Sequence, residues 1–574
     1  MTLQPTRIRG IDWLALLLLS FLLGPQTCQA EETPGRPAQH QDNPVAAGIQ
    51  ALLKAGVHPR LHWGQFSDFQ TQLESLYQPT GYRPLWTQEN KTVPQAQAVI
   101  AELAAANSKG LNAADYDTGL LQQWLTRLNS GTTTHSRDLA SFDVALSLSL
   151  MRYASNLYVG RINPRHVNFA LDIEPKKLDL PALVSQVAHS DKPVEIIGAL
   201  EPKLRLYENL KIALARYELL AKESQPTAFT FPAKFKPGDR NNDVPALRHI
   251  LTLLGDLSES HQSSRTVSKS PELYDKELAE AVKRFQSRHG LAADGVIGST
   301  TLAQLNIPLA DRIKQIQLGL ERLRWLPEQL NGPYLIVNIP SFQLFGFENG
   351  SGKPDIEMNV IVGEAINERN TPVFHADMTY VIFRPYWNLP DTITAKEMLP
   401  RIRRNPGYLD RNNLEIVPNF SSNAPVYQPS FETIQMLSSG ALKLRQRPGP
   451  KNALGLVKFA FPNDNNVYLH STPTRGLFKK ARRDFSHGCI RVEDPVGLAQ
   501  WVLRDQDAWT RERIQQAMNR DRPKTVTLKT ELPVYIFYST VLADENGKVM
   551  FFDDIYGHDT VLQGFLGQGF PYPS

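Results

Sequence analysis

The spacing of apolar residues changes once along this chain, near residue 330, and this change constrains the fold more than any other feature. Before it, apolar residues recur every three or four positions, as in the stripe from Ala140 to Met151, which is typical of a helix face. Beyond it, apolar residues alternate with others, as from Leu335 to Ile339, which is typical of a β-strand. The sequence therefore predicts a multidomain α+β protein, helical in its first part and mostly β in its second.

A chain of 574 residues is too long for one hydrophobic core and should hold three or four domains. A stretch of different texture interrupts the β region, which predicts an inserted subdomain that covers a site as a lid. The predicted segments are a signal peptide (1–30), a flexible linker (31–45), a helical scaffold (46–228), a three-helix module (229–310), a connecting helix (311–330), a mostly β domain (331–530) with its lid (391–445), and a C-terminal β-hairpin extension (531–574) that packs with the β domain.

The first part of the chain has the layout of a secretory signal. Arg7 and Arg9 precede an apolar run from Trp13 to Leu23, and Cys28-Gln29-Ala30 forms a small-x-small cleavage site. The run is too short to span a bilayer stably, although an uncleaved leader would tether the protein to the inner membrane. Export is therefore expected. The formal net charge of +4 is small and gives no indication of a nucleic-acid partner.

A mature exported chain would retain one cysteine, Cys489, with two histidines near it in sequence. His470 ends a predicted strand, and His487 lies two residues before the cysteine, which in an extended segment places both side chains on one face. A thiol becomes a good nucleophile when a base or a cation is near it. Ser471 or a backbone carbonyl would hold the far nitrogen of His470. Gly488 would permit close approach of another chain and leave backbone N–H groups free to stabilise an oxyanion.

Other interpretations of these residues remain open at this point. A lone cysteine is commonly a small buried hydrophobe, and either histidine taken singly is more often a core residue with satisfied hydrogen bonds. The set of His470, His487 and Cys489 would also suit zinc, but no fourth ligand follows at a fixed offset. No metal site is therefore assigned.

The three-helix module carries a pattern of its own. Its second half, Ala281-Val-Lys-Arg-Phe-Gln286 followed by Gly290-Leu and Asp294-Gly-Val-Ile-Gly298, resembles the peptidoglycan-binding modules of many cell-wall enzymes. The resemblance implies contact with glycan. A helical spacer that has lost this binding is the alternative.

The stretch around the cysteine resembles a known active-site signature. His470-Ser-Thr, followed by Ser486-His-Gly-Cys-Ile-Arg491, is similar to the signature of the L,D-transpeptidases with a YkuD-type catalytic domain, which cross-link bacterial peptidoglycan. Further matches resemble the large Gram-negative, YcbB-like branch of that family, in which a helical scaffold, a peptidoglycan-binding-like module and a lid accompany the catalytic domain. These matches lie at 385–390, 393–409, 445–449 and 452–455.

The resemblance implies roles for individual residues. Cys489 would be the nucleophile and His470 the base that activates it. His487 and Arg491 would shape the site or contact the substrate, and the backbone around His487 to Cys489, with Gly488, would form the oxyanion hole. Tyr468 is expected nearby. No metal or organic cofactor is implied.

The implied reaction is a two-step acyl transfer on peptidoglycan stem peptides. The thiolate attacks the carbonyl of the third stem residue, meso-diaminopimelate, and expels the terminal D-Ala of a tetrapeptide. The side-chain amine of another stem then attacks the thioester and gives a 3→3 cross-link. Implied with it are a periplasmic location, peptidoglycan synthases as partners, and acylation by carbapenems.

Three other functions stay open on the sequence alone. Water as the acceptor would make the protein an L,D-carboxypeptidase, and the same site could serve a cysteine amidase or endopeptidase. A non-enzymatic peptidoglycan-binding protein is the alternative from another class, which the intact His470, His487, Cys489 and Arg491 disfavour.

Overall fold

The computed structural model describes residues 43–130, 135–171, 176–223, 228–258, 270–349, 352–366 and 369–572. The predicted signal peptide and nearly all of the predicted linker lie outside these residues. From Pro44 onward the chain forms one compact unit. Among the helices of the described residues, none combines the length and apolar character needed to cross a bilayer.

The first helical region packs around one long helix. Nearly every residue of α5 is buried, including the predicted stripe from Ala140 to Met151, because neighbouring helices cover it on several sides. The elements of this region are α1 (Pro44–Ala55), α2 (Gln70–Tyr77), β1 (Thr87–Gln88), β2 (Lys91–Thr92), α3 (Pro94–Ala104), α4 (Thr118–Asn129), α5 (Ser136–Tyr158), β3 (Phe169–Ala170), α6 (Leu180–His189), α7 (Pro193–Gly198) and α8 (Arg205–Glu223).

The three-helix module has its own hydrophobic cluster, in which Val244, Leu278 and Phe285 are buried. It comprises α9 (Val244–Leu253), α10 (Lys276–Arg288) and α11 (Ser299–Leu305). The first two helices are followed by Gly255 and Gly290 with positive φ, as the sequence predicts. Ser299 is the first residue of its helix rather than the predicted cap, because Gly298 occupies the capping position.

The predicted connecting helix is α12 (Leu309–Arg324), and it is a buried part of the core rather than an exposed linker. It packs against α8 and the C-terminal elements. The fully buried carboxylate of Glu321 accepts hydrogen bonds from Nε of Arg161 and Nη1 of Arg324, both at 3.1 Å. Ionic groups inside a core require such partners, and these bonds tie the first helical region to α12.

The second half of the chain contains the remaining strands and helices. The strands are β4 (Tyr334–Asn338), β5 (Gln343–Phe347), β6 (Ile356–Gly363), β7 (Val373–Phe383), β8 (Trp387–Asn388), β9 (Leu414–Val417), β10 (Lys443–Gln446), β11 (Val457–Ala460), β12 (Leu469–His470), β13 (Asp484–Ser486), β14 (Ile490–Val492), β15 (Lys524–Phe537), β16 (Val541–Ala543) and β17 (Val549–Phe551). The helices are α13 (Asp391–Ile393), α14 (Leu399–Arg404), α15 (Tyr408–Arg411), α16 (Phe431–Ser438), α17 (Pro495–Val502), α18 (Arg511–Met518) and α19 (His558–Gly567), and a π-helical turn (Thr394–Met398) joins the first two.

The main sheet closes on itself. Its order is β11-β12-β14-β6-β5-β4-β15-β7-β3, and β11 also pairs with β7. Most neighbours are antiparallel, but β12 runs parallel to β14 and β15 runs parallel to β4. The helical region contributes β3, which pairs with the start of β7. The predicted multidomain α+β fold class is confirmed, with a helical first part and a β-rich second part.

The chain between β7 and β11 forms a separate small layer. Strands β8, β10 and β9 make a three-stranded sheet, and its hydrophobic cluster includes Leu389, Ile402 and Leu444. This layer, which we call the lid, extends from Trp387 to Gln446 and overlaps the segment 391–445 that the sequence singles out.

The C-terminal segment differs from its prediction. The sequence suggests a hairpin that pairs 534–538 with 548–552 in an extension starting at 531. Strand β15 instead crosses that boundary: it pairs with β7 on both sides of a register shift between Thr527 and Leu532, and with β4 over 534–537. The hairpin at the turn 544–547 is formed by β16 and β17. The run 534–538 is buried on both faces, as expected of a central strand rather than a hairpin arm.

Candidate active site

Two parallel strands bring the predicted site residues together. β12 and β14 pair with Leu469 opposite Ile490 and His470 opposite Arg491. The N–H of Ile490 also donates to the carbonyl of Tyr468 at 3.1 Å. Cys489 directly precedes β14 and therefore lies beside the start of β12. Sequence spacing alone did not establish this contact, which depends on a parallel pairing between distant segments.

The thiol of Cys489 is partly buried and faces the β11–β12 connection. Its S–H donates to the carbonyl oxygen of Asn466 with an Sγ–O distance of 3.7 Å. Burial raises the pKa of Cys489 above its ordinary value, against hydrogen bonds from the backbone and the hydroxyl of Tyr468 and the charges of Lys458 and Arg491. The thiol is therefore protonated at neutral pH in the substrate-free site.

His470 is almost completely buried, with 4% of its surface exposed. Its Nδ1 lies 2.6 Å from the carbonyl oxygen of Ser471. A carbonyl can only accept, so Nδ1 carries the proton and Nε2 is left as a base. Burial, followed by the charge of Arg491, lowers the pKa of His470 to about 3. The imidazole is neutral across the physiological range, and it is the backbone of Ser471 that fixes its tautomer.

Gly455, in the turn before β11, packs against the backbone that holds His470. Its φ is +63°, and a Cβ there would lie 2.6 Å from Oγ of Ser471 and 2.7 Å from the backbone nitrogen of Thr472. No other residue fits so close to the backbone that holds His470.

Gly488 adopts a φ of +106°, which only glycine tolerates easily. The predicted crowding is absent, since a Cβ there would meet its nearest atom, the carbonyl oxygen of Asn370, at 3.7 Å. Its N–H is not free either, because it donates to Oγ of Ser486 at 3.2 Å. The N–H of Cys489, by contrast, donates to no acceptor among the described residues.

His487 does not join His470 at the thiol. Its Nε2 lies 2.7 Å from Oε1 of Glu397 in the π-helical turn of the lid. Glu397 also accepts from Arg369 at 3.0 Å, and Arg369 donates to Glu364 at 3.1 Å. The sequence predicted that the side chains of His487 and Cys489 lie on one face of an extended segment. The turn at Gly488 separates them instead.

The geometry does not support the alternative of a zinc site formed by His470, His487 and Cys489. His487 is engaged by Glu397 rather than directed with His470 and Cys489 at a common point. In the part of the chain that the structure describes, no group of three or more His, Cys, Asp or Glu side chains is arranged to hold a metal ion.

Sequence reasoning missed three residues at this site. Lys458 on β11 pairs with His470, and its Nζ lies 3.8 Å from the centre of the Tyr468 ring. The side chain of Trp387 hydrogen-bonds to the Tyr468 hydroxyl, and Asn466 accepts from the thiol. Only Lys458 left a signal, because it is the one charged residue in the predicted strand from Gly455 to Phe461.

Three parts of the chain match known family models. Residues 332–536 match the "L,D-transpeptidase catalytic domain" of the YkuD type. Residues 240–305 match the "Putative peptidoglycan binding domain" and residues 71–214 the "Scaffold domain". Together these matches cover the β-rich domain, the three-helix module and most of the first helical region.

Two curated proteins are similar to parts of the chain. A "Putative L,D-transpeptidase" from Haemophilus influenzae is 32% identical over 246 residues, which is 43% of this chain and 48% of that protein. An N-acetylmuramoyl-L-alanine amidase, CwlM, from Mycobacterium tuberculosis is 38% identical over 69 residues, 12% of this chain and 17% of that protein. The chain thus matches about half the length of the first relative and a smaller share of the second.

Among solved structures, an L,D-transpeptidase from Xylanimonas cellulosilytica is 15% identical, with 54% of this chain and 100% of that chain covered at a TM-score of 0.17. The family model for residues 332–536 and the first relative agree on an L,D-transpeptidase domain. The protein carries a YkuD-type L,D-transpeptidase catalytic domain together with a peptidoglycan-binding domain, and is homologous to a protein described as an L,D-transpeptidase.

Proposed function

We propose that this protein is a peptidoglycan L,D-transpeptidase in which Cys489 is the nucleophile and His470 the general base. The observation that supports the proposal is the pairing of β12 with β14: the strand that carries His470 runs next to the strand that directly follows Cys489, and Nδ1 of the buried imidazole lies 2.6 Å from the Ser471 carbonyl. A nucleophile, a base and a group that orients the base are the three parts of a covalent acyl-transfer site.

In the first half-reaction the thiol proton moves to Nε2 of His470 as Sγ attacks the carbonyl of the third stem residue. The N–H of Cys489 is a suitable donor for the oxyanion, because it is not engaged by the protein among the described residues. Collapse of the tetrahedral intermediate breaks the amide bond, His470 returns the proton to the departing D-Ala amine, and a thioester remains on Cys489.

In the second half-reaction a side-chain amine of another stem attacks the thioester. His470 accepts the amine proton and returns it to the leaving thiolate, so that a 3→3 cross-link forms and the thiol is regenerated. The low pKa of His470, about 3, means that imidazolium exists only transiently in either half-reaction. While the imidazolium exists, the oxyanion or the thiolate beside it balances its positive charge.

The remaining domains fit this chemistry. A peptidoglycan-binding module would hold the polymer near the site, and the lid, which reaches His487 through Glu397, would close over a bound stem. The domain order agrees with the YcbB-like branch. Because the substrate lies in the cell wall, we place the protein outside the cytoplasm, in the periplasm, with stem peptides, glycan and peptidoglycan synthases as partners and carbapenems as inhibitors.

The test is mass spectrometry of the protein after incubation with disaccharide-tetrapeptide, in parallel with Cys489→Ala. A thioester on Cys489, loss of D-Ala and a cross-linked dimer are expected, all absent from the variant. Release of D-Ala without a dimer would indicate an L,D-carboxypeptidase. Cleavage of existing cross-links would indicate an endopeptidase, and a reduced thiol that forms no adduct would favour a binding protein.

A further inference from the structure

Two cations, Lys458 and Arg491, act on the thiol of Cys489, and among the described residues no carboxylate acts on Lys458. Lys458 and Arg491 both pair with His470, one from β11 and the other from β14. Within the described residues, neither side chain forms an ion pair or a hydrogen bond, and both are only partly exposed. Partly buried charges in proteins normally have a partner, and Lys458 is the one of the two cations on which no carboxylate of the described residues acts.

The surroundings of Lys458 show what this charge acts on. Its ammonium stands over the ring of Tyr468, at 3.8 Å from the centre. Its partner on β7 is the apolar Ile382, and its partner on β12 is the neutral His470. Burial keeps the hydroxyl of Tyr468 protonated by raising its pKa well above the ordinary value.

Of the protein's own groups near Lys458, the thiol is the one that becomes negative in the proposed reaction. Burial lowers the pKa of Lys458, and the charge of Cys489 is what opposes this effect. The closest carboxylate in the network, Glu364, acts on Arg491 and is bonded to Arg369. His487 is turned towards Glu397. Among the titratable groups around the thiol, Lys458 therefore has Cys489 as its anionic counterpart.

We propose that Lys458 is a positioning residue that stabilises the thiolate of Cys489 from above the Tyr468 ring. The proposal rests on the proposed function, in which Cys489 must lose its proton to attack. When the S–H bond breaks, the proton passes to Nε2 of His470 and the electron pair stays on sulfur. His470 cannot serve as a standing counter-ion, since burial holds its pKa at about 3. A permanent cation then supplies what a thiolate–imidazolium pair supplies elsewhere.

The experiment is the pH dependence of Cys489 alkylation by iodoacetamide, followed by mass spectrometry on the full chain. The variants are Lys458→Met, which keeps the length of the side chain, and Lys458→Arg, which keeps the charge. Lys524→Met, an exposed lysine of the same domain, is the matched control. Circular dichroism and Tm check that each variant is folded.

For Lys458→Met we expect a higher apparent thiol pKa. At a pH below the thiol pKa of both the unsubstituted protein and the variant, the alkylation rate constant of the variant should be about tenfold lower for each unit by which its thiol pKa is raised, because this rate follows the thiolate fraction. Above both values the rates should converge. Lys458→Arg should restore the original profile to within about threefold, and Lys524→Met should not change it.

An unchanged alkylation profile in folded Lys458→Met overturns the proposal, even if peptidoglycan turnover is lost, since the lysine would then serve the substrate. If this variant does not fold, Lys458→Gln replaces it with the same two outcomes. Alkylation depends on the thiol alone. A shifted profile in a protein that makes no thioester with stem peptide would therefore overturn the proposed function and leave the role of Lys458 standing.

Discussion

Nε2 of His487 lies 2.7 Å from Oε1 of Glu397, so a residue of the cysteine motif is bonded directly to the lid. The same carboxylate accepts from Arg369, which extends the contact to the loop after β6. The position of the lid and the geometry of the cysteine motif are therefore coupled through the carboxylate of Glu397, which is hydrogen-bonded to both His487 and Arg369.

The first prediction concerns this carboxylate. Glu397→Ala should lower stem-peptide turnover about tenfold, because the lid loses its charge-assisted bonds to His487 and Arg369. Iodoacetamide alkylation of Cys489 should stay unchanged. Glu432→Ala, an exposed carboxylate of the same lid, serves as the control. If Glu397→Ala altered alkylation as strongly as turnover, the carboxylate would act on the thiol rather than on the lid.

The second prediction concerns the whole lid. The N–H of Leu389 bonds to the carbonyl of Leu444 at 3.0 Å, so an Asn-Gly turn can join these two residues and replace 390–443. This deletion keeps β8 with Trp387 and all of β10 except Lys443. Stem-peptide turnover should fall by more than about tenfold, while thiol alkylation should change less than about twofold, if the lid serves substrate binding. Equal loss of both, with circular dichroism of a folded protein, would contradict a substrate-specific lid.

The third prediction concerns Gly455. A methyl group there would overlap Ser471 and the backbone of Thr472, so Gly455→Ala should displace the carbonyl that holds His470. Turnover should be lost, and the free energy of unfolding should fall by about 2 kcal/mol more than for Gly440→Ala. Gly440 is the matched control, because it also has a positive φ, +79°, but has no atom within 4 Å of an added Cβ. Urea denaturation of both variants provides the comparison, and equal destabilisation would show that φ alone matters.

The fourth prediction concerns stability at acid pH. Burial, and then the charge of Arg322, lowers the pKa of His558 from 6.5 to about 4. Between these values the unfolded state binds a proton that the folded state does not, so this residue makes stability fall as pH drops from 6.5 to 4. His558→Gln should remove about 2 kcal/mol of that loss. Urea denaturation at pH 7 and pH 5 measures it, with the exposed His189→Gln as control. An unchanged pH slope would mean that the imidazole charges freely in the folded protein.

The sequence predicted the elements around the site better than their pairing. The alternation from Leu335 to Ile339 and the strand ending at His470 were expected close to where β4 and β12 lie, because alternation is a local signal. The use of Val534 to Phe537 as a central strand was missed, since it depends on β4 and β7, which are distant in sequence. The same reason hid the buried role of α12.

For the candidate site too, single residues were predicted better than the contacts between them. Residue type and spacing made Cys489 and His470 candidates, the resemblance to the transpeptidase signature selected them, and the structure pairs β12 with the strand that follows Cys489. The contact of His487 with Glu397 could not be inferred, because it joins the motif to an inserted layer and depends on the turn at Gly488. Lys458 was within reach, since a lone charge in an apolar strand requires an explanation.

The closed sheet also limits how a polymer can be recognised. β12 has β11 on one side and β14 on the other, so no peptide can add to this sheet as a further strand where His470 lies. Strand addition would in any case demand a chain of uniform chirality, because a regular ladder tolerates only one hand. A site without a free edge contacts its ligand through side chains and single backbone N–H groups such as that of Cys489, and these contacts do not require the uniform chirality of a strand ladder.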